Sequence, residues 1–165
     1  SLRAVLLASS ARVYLALLKA KEPALSAASL GKDRLALGEP LTIVGFPVLK
    51  LPRREPKTVA GEYLGERPLA QGGSILQINA RVWQGSSGSP ALDQTGRVVG
   101  VIFAKANSPG IYQKSGEVVD DRAYAVPART LSAFLTRNGV RPAFAVTGSA
   151  GSNPKRFMVR VDCLR

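Results

Sequence analysis

Six consecutive small or turn-forming residues, Gly85-Ser86-Ser87-Gly88-Ser89-Pro90, lie between two apolar runs of the chain. We call them the serine loop. Such residues let the backbone bend sharply and expose main-chain N–H groups, which can stabilise a developing anion. The composition of the loop therefore makes a chemical role plausible. A plain surface turn between two strands has the same composition, so the loop alone leaves both interpretations open.

The serine loop resembles the active-serine loop of trypsin-like serine proteases, Gly-x-Ser-Gly-Gly/Ser-Pro, and its surroundings are most similar to the HtrA/Deg branch. The resemblance implies that Ser87 is the nucleophile of a serine endopeptidase. It also implies that the N–H groups of Gly85 and Ser87 form the oxyanion hole. The Gly-x-Ser-x-Gly elbow of α/β-hydrolases fits less well, because Ser89 takes the fifth position and a hairpin, not a helix, follows Pro90.

Other segments follow the order of the same family over roughly residues 12–140. They are a Leu-Ala-Leu-Leu strand from Leu15, a strand ending in Gly45-Phe46-Pro47, the serine loop, the strand Arg122–Pro127, and a helix that ends at Gly139. The resemblance implies a mostly β fold, the second antiparallel β-barrel of the trypsin-like type, with six strands and a C-terminal helix. We expect residues 1–140 to be a partial chain of this domain that lacks most of the first barrel. Residues 141–165 are expected to be an extension with a strand-like end.

Hydrophobic periodicity predicts the individual elements. Two strands should bracket Ser9-Ser10, a third should cover 41–47, and a basic, proline-rich loop over 48–68 should hold only a short strand at 58–61. Further strands are predicted at 74–80, 97–104 and 122–127, with a surface excursion over 107–121 and a helix over 127–138.

The resemblance also implies a site for polypeptide substrate. Arg81 and Trp83 would line one wall of the pocket for the side chain that precedes the cut bond. Ala123, Tyr124 and Ala125 would form the other wall and pair with the bound peptide by strand addition. An inward Arg81 would favour acidic side chains, whereas an arginine at the surface of a strand end is the alternative interpretation.

The sequence contains no histidine. A serine hydroxyl needs a positioned base, normally a histidine oriented by a carboxylate. HtrA-like chains carry that aspartate at the start of an Asp-Leu-Ala-Leu-Leu-Lys strand, and Tyr14 occupies the matching position here. Two hypotheses stay open: a partial chain of an active protease, or a pseudoprotease that acts as a peptide- or protein-binding module. A Ser–Lys dyad with Lys105 or Lys114 is a third, and no spacing favours either lysine.

The net charge is +12, from 23 Lys and Arg against 11 Asp and Glu. The bases are spread along the chain, with modest clusters at 50–57 and 155–160. No nucleic-acid motif accompanies them, so nucleic-acid binding would rest on charge alone. The adjacent Asp120 and Asp121 are expected in an exposed turn. The single cysteine, Cys163, excludes a disulfide within these residues.

No apolar run reaches the ~18 residues of a membrane span. The resemblance implies a polypeptide substrate, no cofactor and no metal. It is also compatible with a homo-oligomer and with a role in protein quality control. We expect an extracytoplasmic location for the parent protein.

Overall fold

The computed structural model describes residues 3–21, 27–31, 34–46, 55–70, 72–106, 113, 121–143 and 157–161. Within these residues lie eight strands and one long helix. The strands are β1 (Ala4–Ser10), β2 (Leu15–Ala20), β3 (Pro40–Gly45), β4 (Lys57–Pro68), β5 (Ser74–Asn79), β6 (Pro90–Leu92), β7 (Val98–Lys105) and β8 (Arg122–Pro127). The helix α1 covers Ala128–Arg137.

Six of the strands form a closed antiparallel barrel in the order β3-β4-β5-β8-β7-β6. The pairing of Ile43 in β3 with Ala91 in β6 closes it. This confirms the predicted fold class, a mostly β trypsin-like barrel with a C-terminal helix. Closure pairs every strand on both sides along part of its length, which removes the long open edges that an open sheet would have.

The barrel interior is filled by side chains that alternate inward along the strands. Ile43, Ile78 and Ile102 are almost completely buried there, and Tyr63 closes the same cluster from β4. Gly100 lies where a Cβ would meet the Val126 carbonyl oxygen at 2.9 Å, so β7 and β8 approach closely at that point. The interior is therefore a packed core and not a channel.

Two predicted strand boundaries are wrong. The strand expected over 58–61 extends to twelve residues, because β4 continues to Pro68 through a register shift between Tyr63 and Gly65. Gly65 has φ +126°, a conformation that favours glycine and accommodates the irregularity. In the first hairpin, Ser9 and Ser10 belong to β1 and the turn lies at 11–14.

Helix α1 ends as its sequence predicts. Gly139 adopts φ +74°, and the N–H groups of Gly139 and Val140 donate to the carbonyl oxygens of Thr136 and Leu135. This pattern satisfies the last carbonyl groups of a helix through a glycine in the left-handed conformation. The helix packs mainly against β7 and β8.

A polar cluster, which we call the clasp, ties α1 to β4 and β5. Arg129 of α1 donates to both carboxylate oxygens of Glu66 and to the Ser74 hydroxyl, which itself donates to Glu66 at 2.7 Å. The hydrogen bonds from Arg129 hold the pKa of the Glu66 carboxyl below its ordinary value. The Ser74 hydroxyl adds to this effect, and partial burial opposes it. The clasp thus joins three elements through a carboxylate that must be charged.

The C-terminal segment returns to the outside of the barrel. Phe157 and Met158 pack against a second apolar cluster that includes Val44 and Leu92. Residues 157–161 contain no strand, so the strand-like end is not found in the described part of that segment. The boundary at residue 140 stays a prediction.

Several residues singled out in the sequence lie outside the described residues. They are Pro47, Lys50, Arg53, Arg54, the surface excursion 107–121 apart from Gln113 and Asp121, Lys155, Arg156 and Cys163. Lys114 and Asp120 fall within that undescribed excursion. In the described residues, no helix is long and apolar enough to cross a membrane.

Candidate active site

The serine loop connects β5 to β6 and is fixed by its own hydrogen bonds. The Ser86 N–H donates to the Trp83 carbonyl oxygen at 3.1 Å, and the Ser86 hydroxyl accepts from the Trp83 N–H at 3.2 Å. The Gly88 N–H donates to the Ile102 carbonyl oxygen at 2.7 Å, which anchors the loop on β7. Ser86 and Ser89 are buried under the loop, whereas Ser87 is exposed at its surface. The loop therefore presents one serine hydroxyl and hides the other two.

Two glycines make the bends of this loop possible. Gly85 and Gly88 have φ +90° and +87°, in the left-handed region that side chains rarely adopt. Below the loop, Gly45 of β3 lies so close that an added Cβ would overlap the Ser89 Oγ. Glycine at 45 therefore lets the loop pack directly onto the barrel.

The N–H groups of Gly85 and Ser87 make no hydrogen bond within the part of the chain that the structure describes. Their neighbours at 86, 88 and 89 all donate to carbonyl groups. Two N–H groups on either side of Ser86 are thus available to an oxygen atom of a ligand. Their role as an oxyanion hole stays a prediction that is compatible with this arrangement.

The Ser87 hydroxyl donates a hydrogen bond to the Phe103 carbonyl oxygen at 3.2 Å. A peptide carbonyl accepts a hydrogen bond but is far too weakly basic to remove the proton of a serine hydroxyl. No histidine exists in the sequence. Ser87 is therefore held in place by this contact and is not activated by it.

Tyr14 lies in the turn between β1 and β2, and its ring stacks on the ring of Phe103. The ring centroids are 4.5 Å apart and the planes differ by 11°. Tyr14 has φ +56° and is 52% exposed. The resemblance leads us to expect a carboxylate at this position, and the structure has the aromatic pair Tyr14–Phe103 instead. The main-chain carbonyl oxygen of Phe103 also accepts the hydrogen bond from the Ser87 hydroxyl.

The predicted substrate residues before the loop lie at the surface. The Arg81 side chain is 79% exposed, and its Nε is 4.0 Å from an Asp121 carboxylate oxygen. Trp83 is also exposed. Of the two interpretations of Arg81, the structure favours the surface arginine, because the guanidinium faces solvent and an acidic neighbour.

Strand addition at Ala123, Tyr124 and Ala125 would need a free edge that β8 does not offer there, and their role in the wall of a substrate pocket stays a prediction. These three residues pair with β5 on one side and with β7 on the other, so β8 has no free edge there. Ala123 and Ala125 also point into the barrel core. Since main-chain groups already bonded within the sheet cannot pair with a peptide, a bound chain needs another edge.

Among the described residues, the nearest edge without a pairing strand belongs to β7. Its pairing with β6 ends at Val101. At the next residue, the Ile102 N–H donates to the Ser89 carbonyl oxygen, and the Ile102 carbonyl oxygen accepts from the Gly88 N–H, so the serine loop bonds to both groups. Phe103 lies in the register shift, and Ala104 and Lys105 pair with β8 only, among the described residues. This short edge begins at the residue that accepts the Ser87 hydroxyl, so loop and edge form one continuous surface.

Residues 1–101 match the family described as the trypsin-like peptidase domain. The chain belongs to this family. A curated relative, the uncharacterized protein y4bJ of Sinorhizobium fredii, is 28% identical over 121 residues. That match covers 73% of this chain and 18% of the relative, so this chain corresponds to less than a fifth of the relative's length.

Solved proteases share the fold of this trypsin-like domain. The inactive form of the Rv3671c protease of M. tuberculosis superposes with a TM-score of 0.65 at 18% identity, over 83% of this chain and 67% of that one. The active form gives 0.65 at 19% identity, over 92% and 64%. The HtrA-type protease AlgW, solved with a decapeptide, gives 0.67 at 20% identity, over 82% and 40%.

Phe103 is the site residue of this trypsin-like domain that sequence reasoning missed. The apolar run 97–104 predicts a buried strand, in which Phe103 has no particular role. A register shift between Ile102 and Ala104 changes this, since such irregularities redirect a residue out of the regular pattern.

Among the described residues, no group of His, Cys, Asp and Glu could hold a metal ion.

Proposed function

We propose that this trypsin-like domain binds extended polypeptide along the serine loop and the β7 edge, and that its 165 residues do not hydrolyse the peptide by themselves. The observation that carries this proposal is the hydrogen bond from the Ser87 hydroxyl to the Phe103 carbonyl oxygen at 3.2 Å. The Ser87 hydroxyl donates its proton in a hydrogen bond to a carbonyl oxygen, which is too weakly basic to remove that proton.

The chemistry of acyl transfer supports this choice. Attack by Ser87 on a peptide carbonyl requires a base that removes the hydroxyl proton and later delivers it to the leaving amine. The chain contains no histidine, and the expected carboxylate is replaced by Tyr14. A tyrosine side chain is neutral near pH 7 and carries no charge to orient and stabilise an imidazolium.

Two features of the site support peptide binding. The main-chain groups of residues 103–105 can pair with an extended chain, as an exposed sheet edge does in strand addition. The N–H groups of Gly85 and Ser87, which have no partner in the described part of the chain, can donate to a carbonyl oxygen of that peptide. AlgW, which has the same fold, was solved with a decapeptide.

A second candidate is a serine endopeptidase that forms an acyl-enzyme on Ser87. The retained loop favours it, because Ser87 is exposed and the N–H groups of Gly85 and Ser87 have no hydrogen-bond partner among the described residues. In this candidate the histidine and the carboxylate come from outside the 165 residues. Ser87 Oγ bonds to the substrate carbonyl carbon, the C–N bond breaks, and the base transfers the serine proton to the amine.

A fluorophosphonate probe, which reacts with activated serines, separates the two candidates. We expect no labelling of this chain, while peptide binding persists in an NMR titration. The longest natural open reading frame is labelled in parallel, with Ser87→Ala as the control in both. Labelling of this chain that Ser87→Ala removes would contradict the proposal. Labelling of only the long form would establish the endopeptidase for the parent protein.

The extracytoplasmic location and the homo-oligomer stay predictions.

A further inference from the structure

We infer that the Tyr14–Phe103 pair selects the bound polypeptide, by stacking an aromatic side chain of that polypeptide on the accessible surface of the Tyr14 ring. This inference rests on the proposed binding function, since it names which side chain the site prefers. It assigns a role to Tyr14 that the catalytic pattern of the family does not include.

The geometry of the pair provides the surface. With the rings 4.5 Å apart and nearly parallel, Phe103 covers one face of Tyr14. Tyr14 is half exposed despite this contact, so part of its ring surface stays accessible. An exposed flat ring that is already fixed by a neighbour can take a second ring with little loss of side-chain freedom.

The position of the pair places this surface beside the bound chain. Phe103 begins the open edge of β7, and its carbonyl oxygen accepts the Ser87 hydroxyl. A peptide that pairs with residues 103–105 therefore passes the base of the Phe103 side chain. One of its own side chains can then reach the Tyr14 ring.

Tyr14 ends the turn between β1 and β2, where its φ is +56°. At half exposure its ring contributes little to the core. The ring is therefore held at the surface of the domain, where a ligand can reach it.

Charge favours an aromatic side chain over a cationic one. An exposed tyrosine face can also attract lysine or arginine through a cation–π contact. With a net charge of +12, however, the whole protein repels cationic peptides.

The test uses blocked alanine pentapeptides that carry one Phe, one Leu or one Arg, placed in turn at each position. Binding to the full chain is followed by NMR through the amide signals of Gly85, Phe103 and Ala104. At one position we expect Phe to bind about three- to tenfold more tightly than Leu, the range for an aromatic pair beyond its buried area.

Three variants decide the role of the ring. Tyr14→Gly suits the backbone and removes the ring, so it should abolish the preference for Phe while alanine-based binding persists. Tyr14→Phe should keep the preference. Leu37→Ala removes another exposed apolar side chain, before β3, and should change nothing.

The outcomes separate this inference from the function on which it rests. Equal binding of the Phe and Leu peptides, tighter binding of the Arg peptide, or a preference that survives in Tyr14→Gly would overturn the aromatic selection alone. If no pentapeptide binds at any position, the proposed binding function fails and the selection fails with it.

Discussion

The barrel and the β1–β2 hairpin use similar residues in opposite ways. Ile78 of β5 is completely buried, whereas Val5, Leu6 and Leu7 of β1 are 60%, 61% and 54% exposed. No residue of β1 is buried, although its composition is as apolar as that of a barrel strand. The serine loop is therefore supported by a packed barrel core. Tyr14 contributes to the same site from a hairpin that adds little to that core.

Stability measurements on one residue from each region test this comparison most strongly. Ile78→Ala should lower the free energy of unfolding by about 3 kcal/mol, because it leaves a cavity inside the barrel. Leu6→Ala should lower it by less than about 0.5 kcal/mol, because the side chain already faces solvent. Both values come from urea unfolding followed by circular dichroism.

A large loss in Leu6→Ala would break the comparison. It would mean that the hairpin side chains are covered in solution, and a second copy of the chain would be the first occupant to examine. Unfolding that depends on protein concentration would identify such association, since a partner that binds only the folded state stabilises it by mass action.

The barrel was predictable because its strands carry a local signal. Alternating apolar residues and a turn at 93–96 indicate β5 to β7, and Gly139 indicates the end of α1. The length of β4 was not predictable, since Gly65 and the prolines around it are typical of loops. Only pairing with β3 and β5 makes that segment a strand.

The site divides in the same way. The serine loop could be found from six adjacent residues, whereas the partner of Ser87 could not. Phe103 accepts the hydroxyl through its main chain, which leaves no mark on the side-chain pattern. The main chain at Tyr124 is paired on both sides because β5 and β7 flank β8. The alternation of residues along one strand does not indicate which strands lie beside it.

The contact between Gly45 and the serine loop joins the support to the chemistry. In Gly45→Ala the new Cβ would overlap the Ser89 Oγ, and the Ser89 Cβ is also within 3.2 Å. We expect a loss of about 2 kcal/mol, typical of overpacking, together with shifted amide signals for Gly85 and Ser87. Peptide binding should weaken with the displaced loop.

The Ser89→Ala variant is the matched control, since it removes the oxygen that the new Cβ would meet. The double variant should lose less stability than the sum of the two single variants, as expected for residues in contact. Strictly additive losses would show that the loop does not rest on Gly45, and the tight support that distinguishes the barrel side of the site would then be absent.

The smallest expected effect concerns the clasp, which holds α1 to the barrel from the side away from the core. Arg129 keeps the pKa of Glu66 below its ordinary value in the folded state. The stabilisation is therefore complete above the pKa of Glu66 in the unfolded chain. It decreases as the pH falls through the lower pKa of the folded state. Glu66→Gln should cost about 1 kcal/mol at pH 7, as for a partly exposed ion pair.

The difference in stability between the parent chain and Glu66→Gln should accordingly shrink as the pH falls below about 4. Glu62→Gln is the control, because Glu62 lies on the same strand and has no place in the clasp. A difference that stays constant to low pH would mean that the amide loses packing or hydrogen bonds and not charge. In that case the geometry of the hydrogen bonds in the clasp, and not the charge of Glu66, would hold α1 to the barrel. The stabilisation from the clasp would then be the same at every pH.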